Sequence, residues 1–397
     1  MPVEPELMND TVLITFLGRL SKREGAYRTT RYRFEQGLSD PVAFFGWALK
    51  DHLQPGRMTI LGTPGSMWDH LFEVDIELGN QHEDERLVLQ EAVERQAVTT
   101  AMLDGLEPVL GGSHACEVAL RLIPYGHDQG EQVELLRTMA ATVTPGAEVH
   151  IDITHGFRHL PMLVLLAALY LEKVKGARVK GIWYGAFDPD TREAPVYNLQ
   201  GLLRIAAWLE ALGTYGKDGD YGIFAPLLAD AGDLLARASF HERTTNPVMA
   251  RQALTAWASR PDTERFPQGD PAAELFRDEI EHRIDWYRRS SRQEWECALA
   301  WQYLERRDFL RAAIFAVEGT ISTAVDGGDV NDYAAREQSR EKLLQASAQY
   351  KKLNNLRNAL AHGVRPWDRK LSKILQRETD LFATMKGLFT DLMGRRS

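Results

Sequence analysis

Near its carboxyl end the chain reads Arg357-Asn358-Ala359-Leu360-Ala361-His362-Gly363. Histidine exchanges a proton near neutral pH. Arginine holds a phosphate through paired N–H groups and stabilises charge that builds on its oxygens. Side by side, the two can work on a phosphodiester. The histidine moves a proton on the attacking 2′-hydroxyl or the leaving 5′-oxygen. Such a reaction needs no metal and leaves a 2′,3′-cyclic phosphate or 3′-phosphate end. RNA brings its own nucleophile, so DNA is excluded as a substrate. In isolation the same residues also suit an ordinary helix end, with a surface arginine and a capping histidine.

A second stretch with chemical content is Asp152-Ile153-Thr154-His155-Gly156, followed by Phe157-Arg158-His159. Residues Ala147 to Ile153 alternate apolar and polar, as in a strand with one buried face. Phe157 to Lys175 carries the dense apolar run Met162–Leu171 and reads as a buried helix. Thr154-His155-Gly156 is then a strand-to-helix turn at the carboxyl end of a strand, the edge at which open α/β sheets bind ligands. Free N–H groups at the start of the helix suit phosphate. A plain βα turn also uses glycine for its backbone and threonine as an N-cap.

The elements that position these residues follow in order. Thr11–Gly18 is a buried first strand, and Arg19, directly after it, stands where a phosphate-binding loop would sit. Tyr27–Phe34 is a short strand or hairpin, with Arg28, Arg31 and Arg33 on a solvated face. Pro41–Leu53 is a helix with Pro41 at its first position. Arg57–Leu61 is a strand ending in Gly62-Thr63-Pro64-Gly65-Ser66, which opens a helix at Met67-Trp68. No Gly-Lys-Ser/Thr follows, so this is not a Walker loop. Strands over Cys116–Ile123, Val179–Phe187 and Ala194–Leu199 and a helix over Gln132–Val143 complete an alternation that predicts a parallel, doubly wound sheet. This domain ends near residue 200. A mixed helical connector punctuated by Pro247, Pro261 and Pro267 covers 201–271, and an all-helical region covers 272–397. There, Leu353, Leu356 and Leu360 face a core, while Asn354, Asn358 and His362 form a polar stripe.

The totals bound the rest. A chain of 397 residues accommodates two or three domains. It is 44% hydrophobic and 26% charged, ordinary for a globular protein. Its net charge of −9 makes the surface as a whole no nucleic-acid magnet. Residues 340–378 differ from that average. They hold ten Lys and Arg against Glu341, Asp368 and Glu378, a local basic patch around His362 of the kind an RNA site requires. Cys116 and Cys297 are too few for a disulfide framework or zinc site. No signal peptide or bilayer-length apolar run is read from the sequence, and the expected compartment is the cytoplasm.

Asp152-Ile153-Thr154-His155-Gly156 resembles the DxTHG signature of CRISPR-associated proteins with a CARF domain, a Rossmann-like sensor of cyclic oligoadenylate. The Arg357/His362 spacing, with polar Asn358, resembles the R-x4–6-H motif of HEPN ribonucleases, and Phe309–Ser322 is similar to a core helix of that fold. Together the two resemble the ancillary ribonucleases of type III CRISPR systems. The resemblance implies an α/β CARF domain over 1–200 and an all-α HEPN domain over 272–397. It also implies a homodimer or higher even oligomer, with cyclic oligoadenylate as allosteric activator, single-stranded RNA as substrate, and no cofactor, metal or membrane. The candidate catalytic residues are Arg357, Asn358 and His362. The candidate ligand residues are Gly18, Arg19, Thr63, Ser66, Trp68, Thr154, His155, Gly156 and Arg158. Two alternatives stay open. One is a non-catalytic sensor whose helical half binds nucleic acid or a partner. The other is a ring nuclease that degrades the messenger with Arg19 or Thr154.

Overall fold

The structure is a computed structural model. It describes residues 10–19, 27, 29–72, 76–114, 116–157, 159–325, 329–363 and 369–394. The chain divides into two units, Met1–Arg204 and Ile205–Ser397.

The first unit is built on eight strands: β1 (Thr11–Leu17), β2 (Arg31–Phe34), β3 (Gly37–Leu38), β4 (Arg57–Gly62), β5 (Glu117–Leu122), β6 (Glu148–Asp152), β7 (Arg178–Gly185) and β8 (Glu193–Asn198). They form one sheet in the order β3-β2-β8-β7-β6-β1-β4-β5. Pleating sorts the residues of β1 between two cores. Leu13 and Leu17 join one with Met58, Ile60 and Trp47. Val12, Ile14 and Phe16 join the other with Val149, Ile151, Leu135 and Val164. Apolar helices therefore cover both faces of the sheet, which explains why its central strands are apolar on both sides.

The run β5-β4-β1-β6-β7 is parallel throughout, with Ile14 opposite Thr59 on one side and Ile151 on the other. After β1 the chain lays β2 and β3 at the far edge, adds β4 and β5 on one side of β1, then returns to β6 and β7 on the other. The winding direction reverses between β1 and β6. The expected all-parallel sheet is nonetheless mixed, because β8 runs antiparallel to β7 and β3 antiparallel to β2. The segment 186–192 is too short for a crossover and can only return as a hairpin.

Two further boundaries differ from the sequence reading. The first helix is Phe45–Leu53, not Pro41–Leu53. Val42 is held in a bridge by Thr30, its N–H and carbonyl both bonded at 3.0 Å, so the helix cannot begin before it. Met67-Trp68 opens a short 3-10 helix, Trp68–Phe72.

The second unit is helical, and one core runs through it from Trp208 and Phe224 to Leu353 and Phe389. Residues 205–271 belong to that core, so they are not a separate connector. Two prolines of this stretch start helices. Pro247 opens helix Pro247–Ala258, capped by Asn246, and Pro271 opens helix Pro271–Arg283, capped by Asp270. A helix needs no N–H at its first position. Among the described residues no helix is long and apolar enough to cross a membrane.

Candidate functional site

A cavity of about 370 Å³ lies at the carboxyl ends of β6, β1, β4 and β5, at the point where the winding reverses. Gly18, Arg19, Thr63, Ser66 and Gly156 line it, together with Gln96, Tyr125, Phe157 and Leu160. Two glycines let the loops meet there. A Cβ on Gly18 would stand 3.0 Å from the Gly156 nitrogen and 3.2 Å from His155 Cβ. Gly156 has φ +118°, and a Cβ there would stand 2.5 Å from Leu160 Cδ1. Only glycine fits such positions without strain.

The Asp-Ile-Thr-His-Gly segment is mainly a brace. Asp152 is fully buried. Its carboxylate accepts the Thr15 hydroxyl at 2.6 Å and the Thr154 N–H at 2.7 Å. Burial pushes that carboxyl up to about 6, against the pull of these hydrogen bonds. Thr154 Oγ1 accepts the Gly185 N–H at 2.9 Å, tying the turn to β7. His155 Nε2 accepts the Phe45 N–H at 3.1 Å, and burial, with His70 nearby, pushes the imidazole down to about 4. A neutral ring suits an acceptor at the positive end of a helix.

Thr154 and His155, expected to touch ligand, instead bond the scaffold through Oγ1 and Nε2 and are not among the residues that line the cavity. Trp68 is also displaced from the expected set. It is fully buried and donates Nε1–H to the Thr63 carbonyl at 2.8 Å, holding the turn from beneath. The Ser66 hydroxyl accepts the Thr63 N–H at 2.9 Å. Arg158 lies outside the described residues.

The expected phosphate site at the helix start is altered too. Helix Leu160–Lys175 begins with its N–H groups engaged. Leu160 donates to the Phe157 carbonyl at 3.0 Å and Met162 to that of His159 at 3.2 Å, while Pro161 has none. Among the described lining residues, Arg19 is the charged one. An anion would pair with Arg19, and the rest of the cavity suits an uncharged aromatic group. Tyr125 and Phe157, with ring centroids 5.5 Å apart, offer that group a stacking wall.

Tyr125, Phe157 and Gln96 are lining residues that sequence reasoning misses. For the aromatics a signal exists, since each follows the carboxyl end of a strand. Gln96 has none. It follows helix Glu83–Glu94 with φ +54° and reaches the cavity because Gly65 has no Cβ, which would stand 2.9 Å from Gln96 Cγ.

In the second unit Arg357, Asn358 and His362 lie on helix Ala348–His362, which Ser347 caps and Gly363 (φ +84°) ends. Leu353 and Leu356 are buried, and Leu360 packs on the same core. Asn354 is also buried, and its Oδ1 accepts an N–H of the half-buried Arg357 at 3.2 Å. Asn358 and His362 are exposed. Arg357 and His362 are separated by about 140° around the helix axis, and among the described residues they share no hydrogen bond. Lys342, Lys351, Lys352, Arg369, Lys370, Lys373 and Arg377 are exposed. Among the described residues no group of three or more His, Cys, Asp or Glu is placed to hold a metal ion.

Residues 12–189 match the family described as "CRISPR system endoribonuclease Csx1, CARF domain". The chain is also 26% identical over 227 residues to the CRISPR-associated protein MJ1674 of Methanocaldococcus jannaschii. That match covers 51% of this chain and 35% of the relative, so the chain spans about a third of the relative's length. The mixed α/β sheet with its cavity at the winding reversal is consistent with a Rossmann-like CARF fold. The amino-terminal half is thus similar in sequence to a CRISPR-associated CARF domain, and its mixed α/β sheet is consistent with that likeness.

Proposed function

We propose that this protein is a cyclic-oligoadenylate-activated, metal-independent endoribonuclease of type III CRISPR defence. The observation that carries the reading is the cavity at the winding reversal, walled by Tyr125 and Phe157 and supplied with one described cation, Arg19. An aromatic wall beside a cation matches the two parts of an adenylate, base and phosphate.

At about 370 Å³ the cavity is at the small end of ligand sites. A ring of several nucleotides needs more than one copy of it, which a two-fold dimer supplies. An apolar stripe supports such a dimer. Met162, Leu166, Tyr170 and Val174 are spaced four apart on helix Leu160–Lys175, and all are exposed. Exposed apolar stripes of this kind mark protein contacts.

The cleavage centre would be of the HEPN kind. His362 would move the proton, and Arg357 would stabilise charge on the phosphate. Because one helix carries the two on different sides, a cleft shared between two copies suits the reaction better than one copy alone. Messenger binding would activate it by favouring the productive arrangement, which requires tighter binding to that state.

An RNA cleavage assay with each ring size in turn tests the reading. Cleavage by the wild type that requires a ring and is lost in His362→Ala supports it. Absence of cleavage with every ring overturns it. That outcome would favour the second reading, a non-catalytic sensor, which has one observation behind it. The Arg357 guanidinium is engaged by Asn354 rather than by His362.

A further inference from the structure

The exposed side of helix Ala348–His362 carries residues that work against helix stability. The helix contains no Asp or Glu, and Lys351 and Lys352 stand near its amino end, where the helix dipole repels cations. Neither lysine makes an ion pair among the described residues. Asn354, Asn355 and Asn358 are poor helix formers. The bond to Arg357 accounts for Asn354, but no packing accounts for Asn355 or Asn358, which are exposed. A local conflict of this kind, with no compensating contact, marks a surface kept for function.

The conflicting residues fall on one line. Lys351, Asn355, Asn358 and His362 are spaced four, three and four apart, so they share an arc of about 60° on the helix and span about 16 Å along it. All four are exposed. The line leads from a bare cation, past two amides that can both donate and accept, to the histidine.

We propose that this ridge is the track of the RNA strand, with Lys351 on a backbone phosphate and Asn355 and Asn358 on base edges or 2′-hydroxyls. The proposal rests on the ribonuclease reading and extends it from the cleavage centre to the bound strand. A phosphate needs a point charge, which lysine supplies. A single strand exposes its base edges and 2′-hydroxyls to amides. The absence of carboxylates along the helix removes the repulsion an RNA backbone would otherwise meet.

The test is fluorescence anisotropy of a labelled single-stranded RNA with the full chain carrying His362→Ala, which prevents turnover. It is run over a range of KCl concentrations, with and without cyclic tetra- and hexa-adenylate. Adding Lys351→Gln is expected to weaken binding several-fold and to lower the log–log salt slope by about 0.7, the loss of one phosphate contact to a single strand. Adding Asn355→Ala is expected to weaken binding several-fold with the slope unchanged. Lys386→Gln, an exposed lysine on helix Glu378–Met393, serves as the control and should change neither. If RNA binds and Lys351→Gln behaves like the control, the track is overturned and the ribonuclease reading stands. If the chain binds no RNA under any condition, both fall. Capture of an acidic protein instead of RNA would also overturn the track.

Discussion

The imidazole of His155 accepts the backbone N–H of Phe45 at 3.1 Å, across a separation of 110 residues. The histidine of the β6 turn thereby caps helix Phe45–Leu53, whose own N-cap residue, Phe44, offers no side-chain cap. Replacing His155 with alanine is expected to cost about 1–2 kcal/mol, the usual loss for a helix cap. Urea unfolding of the variant measures this. An unchanged midpoint would show that the bond carries no stability.

The same motif makes stability depend on pH through two opposing groups. The folded His155 titrates at about 4, against an ordinary histidine value of 6.5. Between those values the unfolded chain binds more protons, so the histidine's contribution is whole above pH 6.5 and lost as pH falls towards 4. Asp152 acts in the opposite sense. Its carboxyl is raised from 3.8 to about 6, so its contribution is whole below 3.8 and lost as pH rises through 6. Asp152→Asn leaves the histidine unopposed. That variant should lose stability on acidification from pH 6.5 to 4 more steeply than the wild type. Equal slopes in denaturant titrations would contradict the assignment.

Gly18 and Gly156 are expected to tolerate no side chain. Gly18→Ala forces a Cβ against backbone, and Gly156→Ala places one at positive φ beside Leu160. Each should cost about 1–3 kcal/mol and weaken cyclic oligoadenylate binding at least tenfold by separating the two loops. Calorimetric titration of the folded variants with the rings checks the second effect. Wild-type affinity in either would detach the cavity from the ligand.

Tyr125 and Phe157 should matter more to the messenger than Thr154 or Trp68. Loss of one stacking ring costs about 1–3 kcal/mol per base, or roughly 5- to 150-fold in affinity. Tyr125→Ala and Phe157→Ala are expected to raise the ring concentration that half-activates cleavage by that factor. If the activation curves overlay the wild type, the bases lie elsewhere.

His362→Ala should remove cleavage by about 10²- to 10⁴-fold, the usual contribution of a positioned acid–base group, with ring binding intact. Asn354→Leu should lower cleavage by freeing the Arg357 guanidinium, and Asn354→Asp should restore it in part. A chelator should leave the wild type active. Full activity of His362→Ala would exclude the proposed centre.

Much of the scaffold is legible in the sequence because its signals are local. β1, β4 and β7 stand out as short apolar runs, and β5 and β6 as alternating ones, between glycines and polar turns. Helix Ala348–His362 is visible from the three- and four-residue spacing of Leu353, Leu356 and Leu360. The motif turn and its place at a sheet edge are visible too. The antiparallel β8 reads as part of a parallel series, since strand direction depends on the partner and not on the strand's own residues.

Residue types and spacing alone single out where chemistry could occur: the Asp-Ile-Thr-His-Gly turn, Arg19, and the Arg357–His362 helix end within a basic stretch. The direction each side chain faces came from the folded surroundings. His155 and Thr154 lost their polar atoms to Phe45 and Gly185, and Trp68 went beneath its own turn. Tyr125, Phe157 and Gln96 came to the cavity from segments with no shared motif. The physical reason is that buried polar groups must find partners, and those partners are residues brought close only by the folded chain.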